Sequence, residues 1–241
     1  MRKMLISAFL FLAFTGVAQE AQVEITSEPS HHLVLQNDWV RVFDVTIAPK
    51  TTSLVHRHRH DYVFVTLGDS DVTSVRANEK PVQLLLQDGE ARFTAGGFAH
   101  AAINNNTRPF RNITIEILTP ATGERTCNES CSLPLPCNSA AKSACPSAER
   151  LFLSDQWTAT TVTLPPGAQI EEHTHMGPHL AVAVSELHFL VKTAGRPDSE
   201  INTKVGDIAW VPPTTHTVIN VGTQPARMVT LEFRNNPAAA H

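Results

Sequence analysis

The chain has 241 residues, of which 42% are hydrophobic and 17% are charged, and its formal net charge is −4. This length and apolar content allow one large or two small domains with buried cores, and they exclude an extended disordered chain. The sparse and slightly acidic charge argues against nucleic acid as a partner, because binding to phosphates requires a basic surface.

The N-terminus has the pattern of a secretory signal peptide. Two basic residues precede an apolar run from Met4 to Val17, and Ala18 completes a small-x-small cleavage pattern. Residues 1–18 are therefore predicted to be removed, which leaves a periplasmic or secreted protein outside the membrane. An uncleaved anchor is the alternative, but the run is short for a membrane span.

Short segments of alternating apolar and polar residues fill most of the remaining chain. Turn clusters separate them, and no amphipathic helix of ten or more residues is evident. This pattern predicts an all-β chain. Representative β-branched runs are RVFDVTI (41–47), NITIEIL (112–118), HLAVAVS (179–185) and MVTLEF (228–233).

All four cysteines lie between two strand-rich regions, at positions 127, 131, 137 and 145. In an exported protein, an even and clustered set indicates two disulfides, with three possible pairings left open. Zinc binding is the alternative, although the gaps are not those of paired C-x-x-C ligands. The segment 119–150 is also rich in proline, serine and alanine, which indicates an inter-domain linker.

The two strand-rich regions repeat each other, with a single one-residue change of register. Each copy holds short strands over a length that fits a small barrel or jelly roll. The aligned pairs include His56 with His173, His58 with His175, Gly89 with Gly206, His100 with His216, Asn104 with Asn220, Arg111 with Arg227, and Glu116 with Glu232.

The repeated histidines have the spacing of metal ligands on strands. Residues i and i+2 of a strand face the same side, so each H-x-H pair is predicted to point into a barrel. Buried imidazoles need partners for their ring nitrogens, and a divalent metal supplies one. The candidate ligands are His56, His58 and His100 in the first half, and His173, His175, His179 and His216 in the second.

Several histidines allow more than one interpretation. In a shifted register His58 and His60 form the ligand pair; otherwise His60 is a base or a hydrogen-bond donor behind the ligands. His179 can likewise act as a base, so His60 and His179 are the candidate catalytic residues. A structure without metal, with these clusters packed or solvated, is a further alternative. His31, His32 and His241 lie outside the repeat and are expected to be solvated.

On these residues the two halves resemble cupins. The second half has Gly167, His173 and His175 of the family's first motif, His179 in the place of the usual Glu, Glu186 at the closing glycine, and then Gly206, His216 and Asn220 of the second motif, one residue short. The first half has Gly89, Gly97, His100 and Asn104 of the second motif with Ala95 replacing Pro, and His56 and His58 of the first motif with Lys50 and Tyr62 in the Gly and Glu places.

The resemblance implies two double-stranded β-helix barrels, at 33–118 and 151–235, joined by the linker. The halves would then form a pseudo-dimer within one chain, and further association into a homo-oligomer is open. It also implies a metal-dependent oxidoreductase, with dioxygenase-like action on a small organic molecule. A non-catalytic module that binds a small molecule or metal is one alternative, and a decarboxylase or isomerase is another, because one fold hosts many functions.

The departures from the family's motif bear on the metal. A ligand set of nitrogens without a carboxylate suits Cu, Zn, Fe or Ni. It also leaves nearly the full positive charge on the ion, which favours an anionic small molecule as the ligand.

Overall fold

The computed structural model describes residues 22–119, 125–126, 131–137 and 141–234. Within these ranges the chain is built from strands, and its helical content is two 3₁₀ turns at Ile25–Ser27 and Lys142–Ala144. Neither turn is long or apolar enough to span a membrane. The predicted signal peptide and His241 lie outside the described residues.

The first half contains strands β1 to β10. Their bounds are β1 (Val23–Glu24), β2 (His31–Gln36), β3 (Val40–Ile47), β4 (His56–His58), β5 (Tyr62–Leu67), β6 (Ser70–Arg76), β7 (Val82–Leu86), β8 (Ala91–Thr94), β9 (Phe98–Asn104) and β10 (Phe110–Ile117).

The second half contains strands β11 to β21. Their bounds are β11 (Arg125–Thr126), β12 (Ser132–Leu133), β13 (Ser147–Leu153), β14 (Trp157–Leu164), β15 (Gln169–His175), β16 (His179–Ala183), β17 (Leu187–Thr193), β18 (Ser199–Thr203), β19 (Ile208–Val211), β20 (Thr214–Asn220) and β21 (Ala226–Phe233).

Each half is a pair of sheets rather than one closed sheet. In the first half the orders are β1-β4-β9-β6-β7 and β2-β3-β10-β5-β8. In the second half a sheet ordered β11-β13-β14-β21-β16-β19, with β12 beside β13, accompanies a sheet ordered β15-β20-β17-β18. The prediction of an all-β chain with two jelly-roll units is confirmed, and no described sheet closes on itself.

The two halves share one apolar layer. Alternation along β10 sends Ile113 and Ile115 to the face that meets the second half, while Asn112 and Thr114 face the interior of the first. In the second half, strand β21 likewise sends Val229 and Leu231 to this layer, while Thr230 faces the interior of the second half. The resulting cluster contains Val40, Val42, Val63, Val65, Ile113 and Ile115 of the first half with Trp157, Ala159, Leu180, Val182, Val229, Leu231 and Phe233 of the second.

Part of the predicted linker is ordered. It contains the short strands β11 and β12, and β13 begins at Ser147. Cys137 and Cys145 form a disulfide, which confirms the disulfide interpretation for this pair. Cys131 is disulfide-bonded as well, and Cys127 lies outside the described residues. Such bonds are typical of proteins in an oxidising compartment.

Repeated glycines make reciprocal contacts between the halves. A Cβ placed on Gly89 would lie 2.7 Å from Val184 Cγ1 and 2.7 Å from Arg227 Nη2, both in the second half. A Cβ on Gly206 would lie 3.1 Å from Arg111 Nη2 in the first half. Gly89 therefore lies against Arg227, and the aligned Gly206 lies against the aligned Arg111, on opposite sides of the interface.

We expect Gly89→Ala to destabilise the protein more than Gly68→Ala. Both glycines have positive φ, +79° and +84°, so both substitutions strain the backbone similarly. Of these two glycines, Gly89 faces the other half and Gly68 faces open space, so overpacking at Gly89 should add about 1–3 kcal/mol. Urea unfolding of both variants measures the difference; equal midpoints would contradict the close packing of the halves.

Candidate metal centres

The first triad consists of His56, His58 and His100. Strands β4 and β9 are antiparallel and pair His56 with His100, while His58 lies two residues along the same face. Nε2 of His58 is 3.3 Å from Nε2 of His100, and one nitrogen from each of the three rings lies within 4.8 Å of the others. His56 and His58 are fully buried.

Outer hydrogen bonds set the direction of these nitrogens. His56 Nδ1 donates to the Leu54 carbonyl at 2.9 Å, since a carbonyl can only accept. The buried Nε2 of His56 then presents a lone pair with no hydrogen-bond partner. His100 Nδ1 is held by Ser74 Oγ at 2.9 Å, which leaves its Nε2 toward His58. Ring nitrogens that converge in this way fit a divalent metal, which would accept a lone pair from each of them.

The second triad, His173, His175 and His216, repeats this arrangement on β15 and β20. His173 pairs with His216 across the strands, and its Nε2 lies 3.1 Å from that of His175 and 3.2 Å from that of His216. His173 Nδ1 donates to the Glu171 carbonyl at 2.8 Å. His175 Nδ1 lies 3.2 Å from Glu232 Oε2, a pairing typical of metal-binding histidines.

The residue four positions after each H-x-H pair stacks on the triad and is not among the three residues whose nitrogens converge. Tyr62 lies parallel to His58 with ring centroids 4.1 Å apart, and His179 lies parallel to His175 at 4.0 Å. Burial raises the pKa of Tyr62 to about 12, so its phenol is neutral. His179 Nδ1 is buried without a hydrogen-bond partner, and burial lowers the pKa of this ring to about 3.

The structure does not bring His60 into the first triad. Strand β4 ends at His58, so the alternation that would turn His60 inward stops before it. His60 is half-buried in the following turn, where its backbone packs against Gly96. Burial, followed by the nearby charge of Arg41, lowers the pKa of His60.

His31 corrects an expectation from the sequence: it is buried rather than solvated. Its side chain is 5% exposed, and its ring centroid lies 4.5 Å from that of His56. Nδ1 of His31 is 2.6 Å from Glu28 Oε2, and both residues lie beside the first triad. The sequence feature that could have indicated this contact is the i, i+3 spacing of Glu28 and His31 at a turn. His32 is exposed, as expected.

Glu28 is the acceptor that orients His31. It also accepts the Ser30 amide at 2.8 Å and the Leu54 amide at 3.1 Å. Burial alone would raise the pKa of Glu28, but the hydrogen bonds from His31 and Ser30 outweigh it and lower the pKa to about 2. The carboxylate is therefore ionised at neutral pH.

The aligned glutamates of β10 and β21 differ in their partners. Glu232 contacts His175, whereas Glu116 is fully buried with Arg41 Nη1 3.1 Å away. Burial raises the pKa of Glu116 to about 7 despite that guanidinium. The two halves thus keep the same residue at the same place but give it different electrostatic surroundings.

The aligned motif asparagines support the fold rather than the chemistry. Buried Asn104 Nδ2 donates to the carbonyls of Ile47 and Arg108, and its Oδ1 accepts the Asn106 amide. Asn220 Nδ2 donates to the Leu164 and Gln224 carbonyls in the same way. Each amide joins the end of a triad-bearing strand to the turn that follows it.

Each triad forms part of the wall of a cavity. The first cavity has a volume of about 360 Å³ and the second about 260 Å³. Both are lined largely by apolar side chains from the two facing sheets. A metal held by either triad would therefore face a partly open cavity that can take a small organic molecule.

Metal-free protein should lose stability as the pH falls below about 6.5. An unfolded histidine takes up a proton near pH 6.5, whereas burial lowers the pKa of His56 to about 4 and that of His100 to about 3 in the folded chain. Between these values the unfolded state binds more protons. The free energy of unfolding should therefore fall by about 1.4 kcal/mol per pH unit for each such histidine.

Urea titrations of chelator-treated protein at several pH values measure this slope. His100→Gln should flatten it, and His32→Gln, at an exposed position, should leave it unchanged. A wild-type stability that does not change below pH 6.5 would contradict buried neutral imidazoles.

Comparison with family models finds no match, and comparison with curated proteins finds no significant match. Solved structures do share the fold. Oxalate decarboxylase from Bacillus subtilis, in its structure at pH 4.6, aligns with a TM-score of 0.55 at 14% identity, covering 85% of this chain and 74% of that chain. AerE from Microcystis aeruginosa aligns with a TM-score of 0.53 at 12% identity, covering 86% and 98%.

A cupin 2 conserved barrel domain protein from Leptotrichia buccalis aligns with a TM-score of 0.51 at 9% identity, covering 84% of this chain and 88% of that chain. At these identities the likeness establishes the fold alone. The chain therefore has the fold of the cupin proteins, and its two histidine triads fit divalent metal binding.

Proposed function

We propose that this chain is an exported metal-dependent oxidoreductase that acts on a small organic molecule by dioxygenase-type chemistry, with the first triad as its principal centre. The observation that supports this most is the convergence of three uncharged imidazoles on the wall of a mostly apolar cavity of about 360 Å³. The second triad is a further candidate centre with a smaller cavity. The disulfide supports export, because such bonds persist outside the cytoplasm.

His56, His58 and His100 would hold the metal in the first half. A bound divalent ion would supply a Lewis-acidic position open to the organic molecule and to O₂. The all-nitrogen set favours Cu, Zn, Fe or Ni. The oxalate decarboxylase of Bacillus subtilis has Mn(II) centres, so Mn belongs among the metals tested even though the residue types did not suggest it.

The protein's own groups would orient the substrate and exclude water. In dioxygenase chemistry both oxygen atoms enter the product and the substrate supplies the electrons, so no separate reductant is needed. The apolar walls limit water near the triad, which strengthens polar interactions there. In the second half, His179 would act as a base beside its triad, and its buried Nδ1, which has no hydrogen-bond partner, supports that role.

A non-catalytic binding role is the second candidate. It is favoured by the scarcity of carboxylates around the first cavity: among the described residues, the acid that lines it is the exposed Glu79, and Glu116 is buried beside Arg41. Oxygen consumption by metal-loaded protein with flavonols or diketones separates the two roles. Uptake of O₂ supports the enzyme, and ligand binding without uptake for every metal supports the binding role.

Each triad should bind one metal ion that depends on its own histidines. We expect His58→Ala to lose one equivalent and His175→Ala to lose the other, because each removes a converging nitrogen. Mass spectrometry of metal per folded chain measures this, with His32→Ala as the control. Loss of metal should also lower the melting temperature of wild-type protein through linkage. Folded wild-type protein that takes up none of the metals would overturn the proposed function.

His31 should contribute to the first centre although it is outside the triad. Glu28 holds Nδ1 of His31 at 2.6 Å, and the His31 ring lines the first cavity with its centroid 6.4 Å from that of His58. We expect His31→Ala to weaken metal binding at the first centre by about tenfold, the lower end of effects seen for residues behind metal ligands. The absorption spectrum of the Co(II) protein should change as well. An unchanged affinity and spectrum, equal to those of His32→Ala, would contradict this role.

A further inference from the structure

The interior of the first cavity is strongly apolar. Aliphatic and aromatic side chains cover it from both sheets, and most of them also belong to the buried core of the first half. A molecule that fills this space must bring an apolar body, because a polar one would lose its hydration without gaining partners. The residues concerned are Val45, Ile47, Phe64, Val72, Leu84, Leu86, Ala102 and Phe110.

The mouth of the same cavity is basic. Arg76, Lys80 and Arg92 line it, against a single acid, Glu79. Arg76 is 34% exposed and its contact with Glu79 is long, at 3.8 Å, while Arg92 is bound to Glu90 at 2.6 Å. Lys80 has no carboxylate within 4.0 Å among the residues that the structure describes. The mouth therefore has positive charge that its own acids do not balance.

Arg76 connects this basic mouth to the first triad. It pairs directly with His100 across strands β6 and β9, and its Cζ lies 3.6 Å from the centre of the Phe98 ring. The stacking holds the guanidinium beside the triad while its N–H groups stay available. Its charge also contributes to the lowered pKa of His100, after burial and the neighbouring histidines. An anion at Arg76 would therefore lie next to the triad.

The second cavity provides a comparison within the same chain. It has the same triad and similarly apolar walls, yet no lysine or arginine is among the described residues that line it. Its charged groups are the acids Asp207 and Glu232. The basic mouth is thus a property of one half and does not follow from the fold.

We propose that the first cavity selects an amphipathic organic anion, a carboxylic acid with an apolar body, whose carboxylate is bound by Arg76 beside the triad. This inference rests on the proposed function, since it names the class of molecule presented to the first centre. It also distinguishes this chain from its structural neighbour oxalate decarboxylase. Oxalate has no apolar surface and would leave the apolar wall without contacts.

The test compares 2-naphthoate with 2-naphthamide on the Zn-loaded full chain, by calorimetry. The two probes have nearly the same shape and differ in charge, and Zn binds without redox turnover. We expect naphthoate to bind about tenfold more tightly or better, the gain typical of a hydrogen bond to a charged group. Oxalate should bind more weakly than naphthoate. Arg76→Gln should remove the preference, and Arg196→Gln, at an exposed arginine of the second half, should keep it.

Equal binding of the acid and the amide would overturn the proposal without relying on any variant. A preference that persists in Arg76→Gln would also overturn it, because a group other than Arg76 would then select the anion. Oxalate bound as tightly as naphthoate would exclude the apolar requirement. Metal content is measured on the same samples, so a failure of the proposed function appears as protein without Zn, and a failure of this inference appears in protein that holds Zn.

Discussion

Strands β10 and β21 must bury apolar side chains on one face and line a cavity with the other, and the rest of the structure depends on this double requirement. Ile113 and Ile115 meet Val229 and Leu231 in the layer between the halves. On the opposite faces, Thr114 and Thr230 line the two cavities. The same strands therefore hold the halves together and keep the space beside each triad open.

Each triad is built from two paired antiparallel strands. Two imidazoles separated by one residue share a face, and a third on the paired strand lies opposite the first. Carbonyl, hydroxyl and carboxylate groups behind four of the six rings, those of His56, His100, His173 and His175, contact Nδ1 and leave Nε2 toward the triad. This geometry needs no loop, and the sheets rather than flexible segments fix the distances between the nitrogens.

Sequence periodicity predicted the strands, and the internal repeat predicted which histidines would meet. The pairs His56/His100 and His173/His216 face each other in the structure as the repeat suggested. The repeat could not predict His31, whose position depends on long-range pairing: β1 runs parallel to β4 and brings Val23 beside His56. Spacing also could not decide what His179 does, because its stacking on His175 is set by side-chain packing.

The basic mouth and the glycine contacts between the halves were equally beyond the sequence pattern. Arg76 acquires its place only when β6 pairs with β9, and Gly89 meets Arg227 only when the halves dock. Local alternation identifies which face a residue occupies, but not which distant strand supplies its neighbours. Residues whose neighbours come from several distant strands are therefore the ones that cannot be identified from a single sequence.

The shared apolar layer has a consequence for how the duplicated halves can change. Because neither half can expose its side of that layer without a large loss of buried apolar surface, the two should unfold in one cooperative step. A ligand bound in either half then stabilises the whole chain. Substitutions that weaken one centre can be tolerated while the other centre maintains the fold. Such mutual buffering would let one copy keep an ancestral site while its twin acquires a new specificity.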